Sequence, residues 1–287
     1  MANTVQLKRR IKTAQTVSKT TRAMQMIATS KLKRAQEAAL SSRPYVKRLS
    51  AMSREITQKL QGKDLHPYMK ESNSANKTLL LVFSPDKGLC GGLVTNLIKE
   101  YLHFFKDESI ILVTLGKKIE HTAGKSQNSL LASFPFGNIL PPFESVFPLI
   151  KIIDEYYLTK KVDRVKILYS KFENFFAQVP TVTTLLPIKP EKLESSKTES
   201  GENYQLFEPN PKEIVPNLLK HYVEMVLYQH LLENYVSEQA ARMLAMQNAT
   251  NNAKDIISQL TLEYNKARQE RITNEILDIS SASLMSS

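Results

Sequence analysis

The residues best placed for chemistry are Ser84-Pro85-Asp86-Lys87-Gly88-Leu89-Cys90-Gly91-Gly92. The stretch follows an apolar run and opens an amphipathic one, so its backbone N–H groups could hold a phosphate at a helix N-terminus. It is neither a Gly-x-Gly-x-x-Gly fingerprint nor a P-loop, and no acidic residue is spaced to bind a ribose. Gly88, Cys90, Gly91 and Gly92 read equally as a tight strand-to-helix turn. Cys90 has the setting of an activated thiol, but no His lies near it in sequence. His66, His103, His121, His221 and His230 show no metal-ligand spacing. Glu263, Glu270, Glu275 and Asp278 form a solvated or partner-facing set rather than a paired acid and base. No catalytic residue, cofactor site or metal set emerges, and the chain reads as non-catalytic.

Composition narrows the class further. The chain has 287 residues, 8 Gly, no Trp and one Cys, which excludes an internal disulfide and an all-cysteine metal cage. No run approaches the roughly 18 apolar residues of a membrane span, and no secretory signal opens the chain. The net charge is +11. Residues 1–36 contain no acid but carry Lys8, Arg9, Arg10, Lys12, Lys19, Arg22, Lys31, Lys33 and Arg34. This end calls for an acidic partner, whether nucleic acid, anionic lipid or a protein surface, and it also has the composition of a mitochondrial presequence.

The elements that position these residues are two long helices with something between them. From Asn217 to Ser287 there is neither Gly nor Pro. At about 1.5 Å per residue such a helix runs roughly 105 Å, too long for an ordinary core. Leu218, Tyr222, Met225, Tyr228, Leu232 and Tyr235, then Met246, Ala249, Ala253, Ile257, Leu260, Tyr264 and Ala267, follow the three-four spacing of a coiled-coil seam. Ala240, Ala241 and Ala245 allow close approach of a neighbour. Several shorter bundle helices would satisfy the same text. Near the start, Leu7, Ile11, Ala14, Val17, Thr21, Met24, Ala28, Leu32, Ala35 and Ala39 form a second seam, and it resumes past Pro44 at Val46, Leu49, Met52, Ile56 and Leu60. Two such helices are expected to pair antiparallel.

Between them, Thr78–Phe83, Ile110–Leu115, Leu130–Phe134, Val162–Phe172 and Gln178–Leu186 read as strands. Leu93–Phe105, Lys117–Lys125 and Phe143–Thr159 read as helices. This alternation predicts a mainly parallel sheet. Residues 62–77 read as a linker and 189–201 as a solvated loop, followed by a stiff aromatic segment at 204–211. The expected domains are 1–61, an N-terminal coiled-coil helix; 76–190, the α/β domain; 191–211, a loop and foot segment; and 212–287, the C-terminal coiled-coil helix. The fold class is mixed α+β: a long antiparallel two-helix coiled coil with an inserted α/β, Rossmann-like domain.

Several strings together resemble the gamma-subunit family of F-type, proton-translocating ATP synthases. They are Thr21-Arg22-Ala23-Met24-Gln25-Met26-Ile27-Ala28, the 86–92 turn, Gln178-Val179-Pro180-Thr181 and Phe207-Glu208-Pro209. The most specific is Ser237-Glu238-Gln239-Ala240-Ala241-Arg242-Met243-Leu244-Ala245-Met246, continued by Asn251-Asn252-Ala253, Tyr264-Asn265-Lys266-Ala267-Arg268-Gln269 and Ile272-Thr273-Asn274-Glu275. The resemblance spans essentially the whole chain. It implies a central rotor shaft of a hydrogen-ion-transporting complex, standing inside a ring of three alpha and three beta subunits. The α/β domain would rest with the epsilon subunit on the c ring, and ATP would be made or hydrolysed on the beta subunits.

By the same resemblance Met24, Arg268, Gln269, Thr273 and Glu275 match rotor–stator contacts. Tyr204, Phe207 and Glu208 match the foot on the c ring, and Ile279 to Met285 an end that turns in an apolar collar. It implies no cofactor, no nucleic acid and no direct membrane insertion. It further implies a peripheral place on the cytoplasmic face of a bacterial plasma membrane, since Met1 leads into the family's first helix without room for a presequence. Having only Cys90, the chain lacks the cysteine pair of the redox-regulated chloroplast members. The other reading of the basic helix is a coiled-coil nucleic-acid-binding or scaffold protein.

Overall fold

The computed structural model describes residues 4–58, 66–70, 75–104, 109–123, 129–189 and 210–285. Helix α1 spans Thr4–Gln58. Strand β1 (Thr78–Phe83), helix α2 (Leu93–Phe104), strand β2 (Ile110–Leu115), helix α3 (Lys117–Ala123) and strand β3 (Ser129–Phe134) follow. Helix α4 (Phe147–Leu158), strand β4 (Arg164–Phe172), strand β5 (Gln178–Leu186) and helix α5 (Pro211–Met285) complete the order. The residues group into two compact units, Met1–Ala28 with Arg242–Ser287, and Thr29–Ala241.

The larger unit holds the sheet, in the order β3-β2-β1-β4-β5. β1 pairs parallel with β2 and β4, β2 pairs parallel with β3, and β5 is antiparallel to β4. Parallel neighbours need crossovers, which α2, α3 and α4 supply. All six residues of the central β1 are buried, as expected of a strand covered on both faces. Leu80 and Val82 pack with Leu112, Leu97, Tyr101 and Ile119. Leu79, Leu81 and Phe83 point to the opposite face by the period of two.

In the same unit α1 and α5 lie antiparallel. Ser42 bonds Gln229, the Gln229 amide donates to the Ala39 carbonyl at 3.3 Å, Arg43 reaches Glu233 at 3.0 Å, and Tyr45 meets His221 at 2.8 Å. α1 runs through Pro44 without a break. Leu40, whose carbonyl loses its helical partner there, is exposed and can bond water.

In the smaller unit the two helices meet through polar groups as well: the hydroxyls of Thr21 and Thr250 are 2.7 Å apart. Two details of the expected seams need correction. On α1 residues 4, 31, 36, 38, 51, 54 and 55 are half-buried and Ser50 is buried, but one unbroken series of buried or half-buried positions runs 7, 11, 14, 18, 21, 25, 28, 32, 35, 39, 42, 46, 49, 53 and 56. That is strict alternation of four and three, the 3.5-residue period of a left-handed coiled coil. Ser18, Gln25 and Ser53 therefore hold seam positions assigned to Val17, Met24 and Met52, which are exposed. On α5 Thr250 is buried and Ala249 only half-buried. Further up, Val215, Leu219, Val223, Leu227 and Leu231 are the buried series, while Leu218, Tyr222, Met225 and Tyr228 flank it half-buried. α5 opens at Pro211 and takes in Pro216. Pro211 sits where no intrahelical N–H is needed, and the Asn210 carbonyl accepts from Glu213 and Ile214.

Candidate functional site

In a doubly wound sheet, ligands bind beyond the carboxyl ends of the strands where the strand order reverses. Here that point lies between β1 and β4. The 84–92 turn leaves β1 at this edge and Ser170 closes β4 beside it. Both positions are covered by α5. The Asn234 carboxamide oxygen accepts the Ser170 N–H at 3.1 Å, fully buried. His230 stands edge-on to Tyr169, ring centres 4.5 Å apart. Cys90 and Leu93 pack against Ala241. The eight residues from Asn234 to Ala241 are all buried. The crevice that would take a dinucleotide holds the chain's own helix.

The turn itself is built around Ser84 and Asp86. The Ser84 N–H donates to the Leu115 carbonyl at 2.7 Å. The backbone there is so close that a Cβ on Gly116, at φ +97°, would fall 1.9 Å from the Ser84 oxygen. Asp86 accepts from the backbone N–H groups of Lys117 (3.0 Å), Phe136 (3.2 Å) and Gly137 (2.7 Å). The anion at the start of α3 is thus a carboxylate of this chain. Leu89 (φ +64°) and Gly91 (φ +58°) take left-handed backbone. Gly88 and Gly92 have room for a Cβ. Cys90 is 2% exposed, enclosed by apolar neighbours instead of open to a substrate.

Electrostatics at the junction of α1, α5 and the sheet centre on Glu233. It pairs with Arg43. Burial pushes the Tyr169 phenol up, and the neighbouring Glu233 carboxylate adds to the rise. Burial pushes the His230 imidazole down, against the opposing pull of its bond to the Val226 carbonyl and of Glu233. That bond, 2.7 Å from Nδ1, fixes Nδ1 as the donor because a carbonyl can only accept. The Asn234 amide nitrogen and the Ser237 hydroxyl, both buried, have no partner among the described residues; groups of this kind are ordinarily met by bound water.

The other sequence-derived residues lie away from this edge. Met24 is on α1, 40% exposed and outside the seam. Arg268, Gln269, Thr273 and Glu275 lie on α5, where every residue from 268 to 280 is exposed. The Thr273 hydroxyl donates to the Gln269 carbonyl at 2.9 Å, and Glu275 pairs with Arg271 at 3.3 Å. Tyr204, Phe207 and Glu208, with the 191–209 loop, fall outside the described residues, and so do residues 62–65 and 71–74 of the expected linker. Among the described residues no cluster of His, Cys, Asp and Glu could hold a metal, and no helix is long and apolar enough to cross a membrane. The sequence reading marked Ala240 and Ala241 for close approach but missed what approaches: the 84–92 turn. It passed over Asn234 altogether, since a lone Asn in a helix carries no signal.

Comparison with known proteins agrees with this architecture. The family model described as ATP synthase matches residues 3–283. An ATP synthase gamma chain from Dehalococcoides mccartyi is 38% identical over 283 residues, covering 97% of both chains. One from Methylacidiphilum infernorum is 39% identical over 297 residues, covering 98% of both. Among solved structures, a chain of the central stalk and c-ring structure of the Tetrahymena thermophila mitochondrial ATP synthase aligns with a TM-score of 0.59. It shares 23% identity, covers 80% of this chain and 98% of that one, and so speaks for the fold. A helix pair drawn from the two ends of the sequence, an inserted sheet whose ligand edge is sealed, and relatives alike from end to end lead to one assignment: the chain belongs to the ATP synthase gamma-chain family.

Proposed function

We propose that the chain is the central rotor shaft of an F-type ATP synthase and carries no catalytic site of its own. It couples proton-driven rotation of the c ring to the conformational cycle of the catalytic beta subunits, for ATP synthesis or hydrolysis. The observation that carries the reading is the sealed edge of the sheet. The one place where this fold would bind a nucleotide is occupied by the helix that a shaft requires, so the domain serves as a grip on that helix. Three alpha and three beta subunits surround one copy, and the epsilon subunit and c ring sit at the α/β domain. The working segments are 1–61 and 212–287 as shaft, 76–190 as grip, and 191–211 as loop and foot.

Met24, Arg268, Gln269, Thr273 and Glu275 are proposed to touch the stator. Exposure of all five on described helices supports this. Tyr204, Phe207 and Glu208 are proposed to touch the c ring. Ile276, Leu277 and Ile279, apolar yet exposed, suit a bearing that offers few directional bonds to break at each step. The proposed location is peripheral, on the cytoplasmic face of a bacterial plasma membrane. Reconstitution with partner subunits and a bead on the α/β domain tests the reading. ATP-driven turning, with one copy per three alpha and three beta, is expected; equal stoichiometry or a stationary bead overturns it. Arg268→Ala or Gln269→Ala should lower ATP-driven turnover in a chain that still folds, and unchanged rotation in both removes the stator assignment.

A further inference from the structure

Between β3 and α4 the chain leaves the sheet and crosses the larger unit as residues 136–141, without regular secondary structure. What holds this segment comes from outside it. On one side Asp86 accepts from the N–H groups of Phe136 and Gly137. On the other, the Asn138 carbonyl accepts from Lys31 of α1 at 2.6 Å and from the Tyr235 hydroxyl of α5 at 3.2 Å. The Tyr228 hydroxyl, two turns back on α5, donates to the Pro141 carbonyl at 3.2 Å. Phe136 lies beside Tyr235, ring centres 6.2 Å apart, and Phe143 edge-on to Tyr228 at 5.4 Å. One backbone carbonyl therefore takes hydrogens from both terminal helices, and the segment carrying it is tied to the β1–α2 turn by a carboxylate. Phe136 and Pro141 at its ends are buried, whereas Ile139 between them is 79% exposed, so apolar burial anchors the ends and not the middle.

We propose that residues 136–141 are a strap through which the α/β domain grips α1 and α5 together, and that Asp86 is its positioning residue. The proposal rests on the rotor reading: a domain pushed from below must twist both helices at once, and the Asn138 carbonyl is where one bond to each converges. Bonds with an ionised partner are about twice as strong as neutral ones: Asp86 makes two to the strap and Lys31 one, while the Tyr235 hydroxyl makes a neutral one.

The test uses the whole complex, with the shaft's far end cross-linked to the stator and a bead on the α/β domain through Lys151→Cys, an exposed position on α4. Thermal angular variance of the bead reports torsional stiffness and needs no turnover. Asp86→Ala should raise the variance about twofold as the two charge-assisted bonds to the strap are lost, along with the one to Lys117, with Asp86→Asn in between. Tyr235→Phe and Lys31→Met, which each remove one bond from the helix side, should raise it by less, and not additively with Asp86→Ala. A lowered melting temperature with unchanged variance in Asp86→Ala assigns Asp86 a merely structural role and overturns the strap. If Asp86→Ala fails to assemble, Tyr235→Phe and Lys31→Met decide, and parental variance in both overturns it. ATP-driven turning of the parent complex is measured separately, so a stationary parent strikes the rotor reading while the variance still judges the strap.

Discussion

Asn234–Ala241 and Arg268–Ser280 belong to one helix and meet opposite surroundings. Every residue of the first segment is buried and every residue of the second is exposed. The exposed segment carries the charges Arg268, Glu270, Arg271, Glu275 and Asp278 against Glu238 alone in the buried one, yet charge is not the whole contrast. Ile272, Ile276, Leu277 and Ile279 in the exposed segment are more apolar than Asn234, Ser237, Glu238 and Gln239 in the buried one. The difference lies in who supplies the neighbours. The buried segment is enclosed by its own chain, through Ser170, Cys90 and Leu93. The apolar residues of the exposed segment find no cover in the chain itself, and the proposed rotor reading gives them to another molecule. Burial in the isolated chain thus marks what the fold needs, and apolar exposure marks what the assembly needs.

This contrast can be broken by substitution. The largest effect is expected at Leu227, which is fully buried: Leu227→Ala should destabilise the purified chain by about 2–5 kcal/mol through lost burial and the cavity left, read by urea denaturation. Asn234→Ala should cost about 1–3 kcal/mol, because the buried Ser170 N–H is left unsatisfied. Should it prove neutral, the seal over the sheet edge is not held there. At the seam, Thr21→Val alone should cost on the order of 1 kcal/mol, the Thr250 hydroxyl keeping the Met246 carbonyl as partner at 2.8 Å, and Thr21→Val with Thr250→Val less than the sum, since the two share one bond; a double-mutant cycle checks the sign.

His230 sharpens the contrast by pH. Its folded pKa lies below the ordinary 6.5, so the unfolded state binds the proton first as pH falls. Its contribution is fully present above pH 6.5 and is lost below it, down to the depressed folded value. His66 is shifted the same way, so the measure is the difference: His230→Leu should flatten the fall in melting temperature below pH 6.5. The smallest effect is expected at Leu277. In the purified chain Leu277→Ala should stay within about 0.5 kcal/mol, while rotation in the assembled complex should change. A large loss of chain stability there would erase the distinction between the two segments.

Much of the architecture was legible in the sequence. The strands announced themselves by short apolar runs between turn residues, and the terminal helices by long stretches without Gly or Pro, 2–43 and 217–287. The seam departs from hydrophobicity where spacing rules: Met24 and Met52 attract the eye, yet Gln25, half-buried, and Ser53, buried, keep the strict alternation. α5 runs through Pro216, and so near the start of the helix the cost of the missing interior hydrogen bond is borne. The sealed edge was not legible at all. It depends on a contact between Ser170 and Asn234, 64 residues apart, and continuous burial leaves no periodic trace in a helix. Asp86 was visible as one letter of a motif, while its partners Phe136 and Gly137 lie beyond any local pattern.

The pairing of Thr21 with Thr250 spans 229 residues, and this sets an order of events at the ribosome. At about 5–20 residues per second, the partner of α1 emerges roughly 10–45 seconds after α1 itself. During that interval the larger unit's sheet can close from neighbours in sequence, whereas the first helix has no counterpart from its own chain. The acid-free, strongly cationic stretch 1–36 is well suited to wait, because like charges keep nascent copies apart until α5 arrives. The first segment to be made is among the last to be held in place.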